Sequence, residues 1–260
     1  MATEIRSTLI GDTMVCVSGA GAPLVCVHGF TTTAEFWKEQ VEEFSRDHLL
    51  VRINLPGHGV SPHLEGRAYT IASFANDVKK VFDELSLQDA VLVGLSMGGT
   101  IAQRFAIDNP GLLRGLVLVG ATPHGLGPDV KAENVLRAIA EIGIAKSSQN
   151  VIEKSFGSAA SAALVDFAKN EVIQTPDFVA KEAIRSLNDS DSRSWLKSIA
   201  QPTLVVVGDE DVITPPEESR KLAEGIPGAE LHIVERAGHF PMLEQPAAFN
   251  RILRSFIAKL

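Results

Sequence analysis

Five runs in this chain, PLVCV, LLVRIN, AVLVGL, LRGLVLVG and PTLVVVG, are apolar at nearly every position. A strand with one wet face alternates apolar and polar residues, so near-continuous runs bounded by turn residues belong to strands covered on both faces. Helical patterns separate several of them, at Glu35–Ser45, Ile71–Leu85 and Ser96–Asn109, and further helices are expected at Pro216–Glu224 and Pro246–Leu260. Strand–helix–strand order of this kind predicts an α/β protein whose mostly parallel sheet is flanked by helices and joined by right-handed crossovers. IRSTLI and TMVCVS before these runs, and AELHIVE after them, complete eight candidate strands.

The rhythm breaks once. From Thr122 to about Trp195 no strand pattern occurs, only helical stretches such as VKAENVLRAIAEIGIAK and SAALVDFAKNEVIQ. Strand character returns at QPTLVVVG. The expectation is a core domain of residues 1–121 and 196–260, with residues 122–195 inserted after the sixth strand as a helical cap.

Open parallel sheets bind ligands beyond the carboxyl ends of their strands. Here those positions carry His28-Gly29-Phe30, Leu55-Pro56-Gly57-His58-Gly59, Ser96, Asp209-Glu210-Asp211 and Gly238-His239-Phe240. A serine hydroxyl is a weak nucleophile until a base, usually a histidine oriented by a carboxylate, takes its proton. In Gly94-Leu95-Ser96-Met97-Gly98 small residues permit a tight strand-to-helix turn, and the helix opening there offers free N–H groups to a developing oxyanion. The bland reading of Ser96 is a helix cap. Its place between an apolar strand and a helix, with Asp211 and then His239 later in the chain, favours a nucleophile.

VHGF, LPGHG, GLSMGG, GDEDVITPP and AGHFPMLEQP, in this order, resemble the α/β-hydrolases, and the resemblance spans nearly the whole chain, most weakly at 122–195. It implies an α/β-hydrolase fold of eight strands, the second antiparallel to the rest. It implies Ser96 as nucleophile, His239 as general base then acid, Asp211 as its orienting carboxylate, and the backbone N–H groups of Phe30 and Met97 as an oxyanion hole. Asp209 and Glu210 are rivals for the acid, but the family spacing selects Asp211, between Gly208 and Pro215. The family strand order separates Cys16 from Cys26 by one strand. Two strand spacings of roughly 4.8 Å exceed the reach of a disulfide, about 7 Å between Cα atoms.

The serine argues against the aspartate-nucleophile dehalogenases and epoxide hydrolases. Thr100 stands where the similar lyase of menaquinone synthesis has arginine, and Phe240 where hydrolases of ring-cleavage products commonly have tryptophan. The resemblance is nearest to small-ester hydrolases, enol-lactonases and haloperoxidase-like esterases. The leading expectation is therefore a serine hydrolase of small to medium carboxylic esters or lactones acting through an acyl-enzyme. The alternatives are a carbon–carbon bond hydrolase of a dienoate ring-cleavage product, a cofactor-free lyase on the same triad, and a ligand receptor that retains it. Trp37, His124, Val212 and Phe240 are candidates for the substrate pocket, although Trp37 and Trp195 read more simply as packing anchors and His124 as a surface residue. His28 is expected to brace the oxyanion loop and His58 to be structural.

With 24 basic and 32 acidic residues the net charge is −8, and no dense Lys/Arg cluster occurs, so neither nucleic acid nor an anionic membrane is an expected partner. No apolar run approaches the roughly 20 residues of a membrane span, and MATEIRSTLI lacks a hydrophobic signal core, so a cytoplasmic protein is expected. The two cysteines form no CxxC pair, and no metal or organic cofactor is implied. The expected partner is a mainly apolar small molecule, an ester, lactone or diketone, bound by a monomer or homodimer.

Overall fold

The computed structural model of the protein describes residues 4–260; residues 1–3, which open both the expected core domain and the N-terminal stretch MATEIRSTLI, lie outside it. The strands are β1 (Ile5–Ile10), β2 (Thr13–Ser18), β3 (Ala22–Val27), β4 (His48–Asn54), β5 (Ala90–Leu95), β6 (Leu113–Val119), β7 (Thr203–Gly208) and β8 (Glu230–Val234). They form one sheet in the order β1-β2-β4-β3-β5-β6-β7-β8. β2 runs antiparallel to both of its neighbours, and every pairing from β4 to β8 is parallel. The sheet is thus mixed and mostly parallel, with all eight sequence-predicted strands in place.

The helices are α1 (Val41–Phe44), α2 (Ile71–Glu84), α3 (Met97–Asp108), α4 (Ala132–Ser155), α5 (Ala162–Glu171), α6 (Asp177–Asn188), α7 (Pro216–Gly225), α8 (Pro241–Glu244) and α9 (Pro246–Ile257). Local chemistry sets their ends. Thr70 caps α2 reciprocally with Ser73: each side-chain oxygen accepts the other residue's backbone N–H, at 3.1 and 2.8 Å. The expected single helix at Glu35–Ser45 is instead a 3₁₀ segment over Ala34–Gln40, itself kinked at Trp37 (φ −104°, ψ 19°), followed by the short α1.

Each central strand divides its residues between two cores with period two. Val25, Val27, Leu92, Leu116 and Leu118 pack with Phe74, Val78 and Phe82 of α2 and with Ile101 and Phe105 of α3. Leu24, Cys26, Val91, Val93, Val117 and Val119 pack with Phe36, Trp37, Phe44 and the α9 residues Phe249 and Phe256. All residues of β5 and β7 are buried, which is why their runs contain no polar interruption. Fully burying one such valine or leucine stabilises by roughly 1.5–3 kcal/mol, so both layers are needed to offset the entropy of ordering the sheet.

Cys16 and Cys26 are buried free thiols. Both pair in register with Arg52 of the intervening β4, one from each side. Between β6 and β7 lie α4, α5 and α6 with no strand among the described residues. α4 is interrupted at Gly143, whose backbone (φ 76°, ψ 161°) leaves the helical region.

Candidate active site

Ser96 sits at the junction of β5 and α3 with φ 52° and ψ −117°, a conformation that costs a non-glycine residue on the order of 1–3 kcal/mol. The surroundings hold it there. Its N–H donates to the Val119 carbonyl at 2.8 Å, and its own carbonyl accepts from Gly99 at 2.8 Å and Thr100 at 3.2 Å. The turn also requires glycine: a Cβ on Gly98 would lie 2.5 Å from the carbonyl oxygens of both Val27 and His28. Although Ser96 occupies the N-cap position of α3, its side chain makes no capping hydrogen bond, so the helix-cap reading of this serine does not hold.

His239 follows β8, and its Nδ1 lies 2.8 Å from Asp211 Oδ2. Donating Nδ1–H to that carboxylate leaves Nε2 as the acceptor nitrogen. Asp211 is almost wholly buried. Its Oδ1 accepts the N–H groups of Ile213 and Thr214, each at 2.9 Å, and the Thr214 hydroxyl lies 2.9 Å from both Asp211 Oδ2 and the Gly120 carbonyl. Burial pushes the Asp211 carboxyl up, but the adjacent His239 charge and these hydrogen bonds outweigh it and hold the group below the ordinary carboxylate range. The rival acids are engaged elsewhere. Asp209 Oδ1 accepts from the Ala237 N–H, and Glu210 binds the backbone N–H and hydroxyl of Ser158.

The loop after β3 is set by His28. Its Nε2 accepts the Leu55 N–H at 3.0 Å, which leaves Nδ1–H to donate to the Gly29 carbonyl at 2.8 Å. Burial and the neighbouring His58 hold the His28 imidazole well below its ordinary range, so it stays neutral in this bracing role. Thr32 also donates to the Gly29 carbonyl, from both its N–H and its hydroxyl, and Thr31 adopts φ 56°. The Phe30 and Met97 N–H groups take no acceptor among the described residues, consistent with the free donors at a helix start.

A cavity of about 390 Å³ brings Phe30, Ser96, His239 and Phe240 together at its floor, with Leu126, Val135, Ile144 and Ile184 among the apolar residues across it. Three sequence-predicted pocket residues lie elsewhere. Trp37 is fully buried in the core against Phe249, ring centroids 6.3 Å apart, because its β-strand neighbours and α9 enclose it. Val212 is 61% exposed: the next two residues, Ile213 and Thr214, donate their N–H groups to Asp211 and line the cavity, while Val212 itself faces solvent. His124 is drawn away by Glu218 of α7, Nε2 to Oε2 at 2.7 Å.

Sequence reasoning missed Thr214 as the hydroxyl that supports Asp211; a threonine three residues after an acid is a local turn signature that marks it. It also attached no consequence to Asn54, whose Oδ1 accepts the Ala34 N–H at 2.9 Å and so anchors the first turn after the Phe30 loop. Among the described residues no group of three His, Cys, Asp or Glu side chains converges as a metal site, and no helix is long and apolar enough to cross a membrane.

A sequence profile of the alpha/beta hydrolase family matches residues 24–252. The chain is 28% identical over 252 residues to the pimeloyl-[acyl-carrier protein] methyl ester esterase of Aeromonas salmonicida, covering 92% of this chain and 96% of that one. It is 28% identical over 255 residues to the 2-hydroxy-6-oxo-2,4-heptadienoate hydrolase of Pseudomonas putida, covering 92% and 90%. The solved structure of Est816, an N-acyl homoserine lactone degrading enzyme, superposes with a TM-score of 0.84 at 28% identity, over 96% of this chain and all of the other. With the sheet order, the serine elbow and a match running from β3 into α9, the chain belongs to the alpha/beta hydrolase family and is a hydrolase.

Proposed function

We propose that the protein hydrolyses small to medium carboxylic esters or lactones through an acyl-enzyme, with Ser96, His239 and Asp211 as its triad. The observation that carries this reading is the buried Asp211–His239 hydrogen bond, 2.8 Å long, opening onto the same cavity as a serine held in a strained elbow whose side chain makes no capping hydrogen bond to the helix it begins. Ser96 Oγ attacks the substrate carbonyl while His239 Nε2 takes its proton. The negative charge that develops on the carbonyl oxygen is met by the N–H groups of Phe30 and Met97. The tetrahedral adduct collapses as His239 returns the proton to the departing alcohol, and a water activated by the same imidazole then releases the acid. Asp211 orients the ring and stabilises the imidazolium formed at each step.

Residues 122–195 act as the cap over this site and residues 1–121 with 196–260 as the core. Supporting this division, α4 and α6 contribute Val135, Ile144 and Ile184 to the cavity while the strand ends contribute Ser96 and His239. The apolar lining favours acyl or alkyl groups over sugars or other polyols. The decisive test is hydrolysis of p-nitrophenyl esters from acetate to octanoate by wild type and Ser96→Ala side by side. Turnover by wild type alone is expected, and inertness of both folded proteins overturns ester hydrolysis. A second reading, carbon–carbon cleavage of a dienoate by the same residues, is favoured by the heptadienoate hydrolase among the relatives; faster turnover of a vinylogous diketone than of any ester would select it.

A further inference from the structure

The Glu244 carboxylate, in the last turn of α8, makes no ion pair among the described residues. It instead accepts backbone N–H groups from two separate parts of the chain. Gly238 donates at 3.0 and 3.1 Å to its two oxygens and Phe240 at 3.0 Å, and these residues flank His239. The third donor, at 2.7 Å, is Gly157 in the connection between α4 and α5. The His239 N–H itself donates to the Ser155 carbonyl at 2.7 Å. The two backbones touch here: a Cβ on Gly238 would lie 2.3 Å from the Ser155 oxygen, and one on Gly157 would lie 2.7 Å from the Gly238 nitrogen.

All three groups facing Glu244 are donors, so only an acceptor-only group satisfies them together. A carboxylate does this with charge-assisted bonds, roughly twice as strong as neutral ones. An amide would turn its own NH₂ against at least one of the three. We infer that Glu244 is a positioning residue that fixes the backbone on both sides of His239, and with it the imidazole's alignment to Ser96 and Asp211, by fastening that loop to the 155–157 segment. This rests on the Ser96–His239–Asp211 reading.

The test compares Glu244→Gln and Glu244→Asp with wild type and with Glu42→Gln, a control in an exposed ion pair with Arg46. Esterase kinetics, thermal unfolding and the low-field His239 Nδ1–H proton resonance are measured on each full-length protein. Glu244→Gln is expected to lower kcat at least tenfold with KM within about twofold, and to broaden or abolish the resonance while the protein remains folded. Should Glu244→Gln not fold, Glu244→Asp decides: it keeps the charge on a stem too short to span all three donors, and the same loss in kcat and resonance is expected. A folded variant with wild-type kcat and a sharp resonance overturns the inference. Labelling of wild type by a fluorophosphonate, and its absence in Ser96→Ala, separates the two failures. An unlabelled wild type overturns the triad reading and this inference with it, whereas a labelled wild type beside an unimpaired Glu244→Gln overturns the inference alone.

Discussion

Asp211 Oδ2 and His239 Nδ1 are 2.8 Å apart, and neither side chain is more than 6% exposed. Water therefore competes little for this bond, and the carboxylate's second oxygen is occupied by the Ile213 and Thr214 N–H groups. The carboxylate has two separable functions, anchoring its own loop through Oδ1 and orienting the imidazole through Oδ2.

Asp211→Asn separates them. The amide oxygen can still accept from Ile213 and Thr214, so the fold and melting temperature should change little. Its NH₂ then faces His239 Nδ1 and favours the tautomer with the proton on Nε2, where a base must have none. A loss in kcat on the order of 10⁴-fold is expected, measured with p-nitrophenyl butyrate. Turnover within tenfold of wild type would mean that Asp211 does not serve His239.

Stability should fall in mild acid through the paired histidines His28 and His58, whose rings lie 5.0 Å apart. Burial, partly offset by the Pro56 and Leu55 carbonyls, holds His58 down at about 4, whereas an unfolded histidine titrates near 6.5. Between those values the unfolded chain binds more protons than the folded one, so stability is complete above about 6.5 and is lost as pH falls toward 4. The loss from His58 alone is on the order of 3 kcal/mol. Asp47 acts in a lower window. Its hydrogen bond to Arg254 holds it at about 2, so its contribution is present above about 4 and is lost as pH falls toward 2. Calorimetry at pH 7.5, 6 and 5 should show the melting temperature dropping by several degrees, with a shallower drop in His58→Gln. A melting temperature independent of pH across this range would contradict the buried neutral pair.

The two thiols should be inert in the native protein. Burial, only partly offset by the charge of Arg52, pushes Cys26 up to about 12, and β4 stands between it and Cys16. A chromogenic disulfide reagent is expected to titrate no thiol in buffer and two in denaturant, with the same melting temperature under oxidising and reducing conditions. Fewer than two thiols in denaturant without reductant would reveal a bridge.

Selectivity should carry an electrostatic component from α4. Lys154 is the one Lys, Arg, Asp or Glu side chain that lines the cavity among the described residues. It is solvent-exposed, so its attraction for an anionic substrate tail is worth only about 0.5–1 kcal/mol. The half-ester of a medium dicarboxylic acid should therefore show a kcat/KM roughly two- to fivefold more favourable, relative to its diester, in wild type than in Lys154→Met. The difference should shrink at high salt. Equal ratios in the two proteins would remove Lys154 from substrate selection.

Much of this architecture is legible in the chain itself because it depends on local pattern. Runs such as AVLVGL can be satisfied only by a strand covered on both faces, and Gly98 marks a turn where backbone meets backbone. The positions of Ser96, Asp211 and His239 after three strands follow from those runs, since parallel strands bring their carboxyl ends to one edge. What lay beyond reach was decided by contacts between residues distant in sequence. Trp37 was enclosed by α9, more than two hundred residues away, and His124 was drawn outward by Glu218. Glu244 sat in a recognisable motif, yet its third donor, Gly157, comes from the connection between α4 and α5, nearly ninety residues earlier. Periodicity specifies which face of an element is buried, because burial is a local free-energy preference. Which particular groups meet across that buried face is set by the packing of whole elements, and that is decided only when the chain has closed on itself.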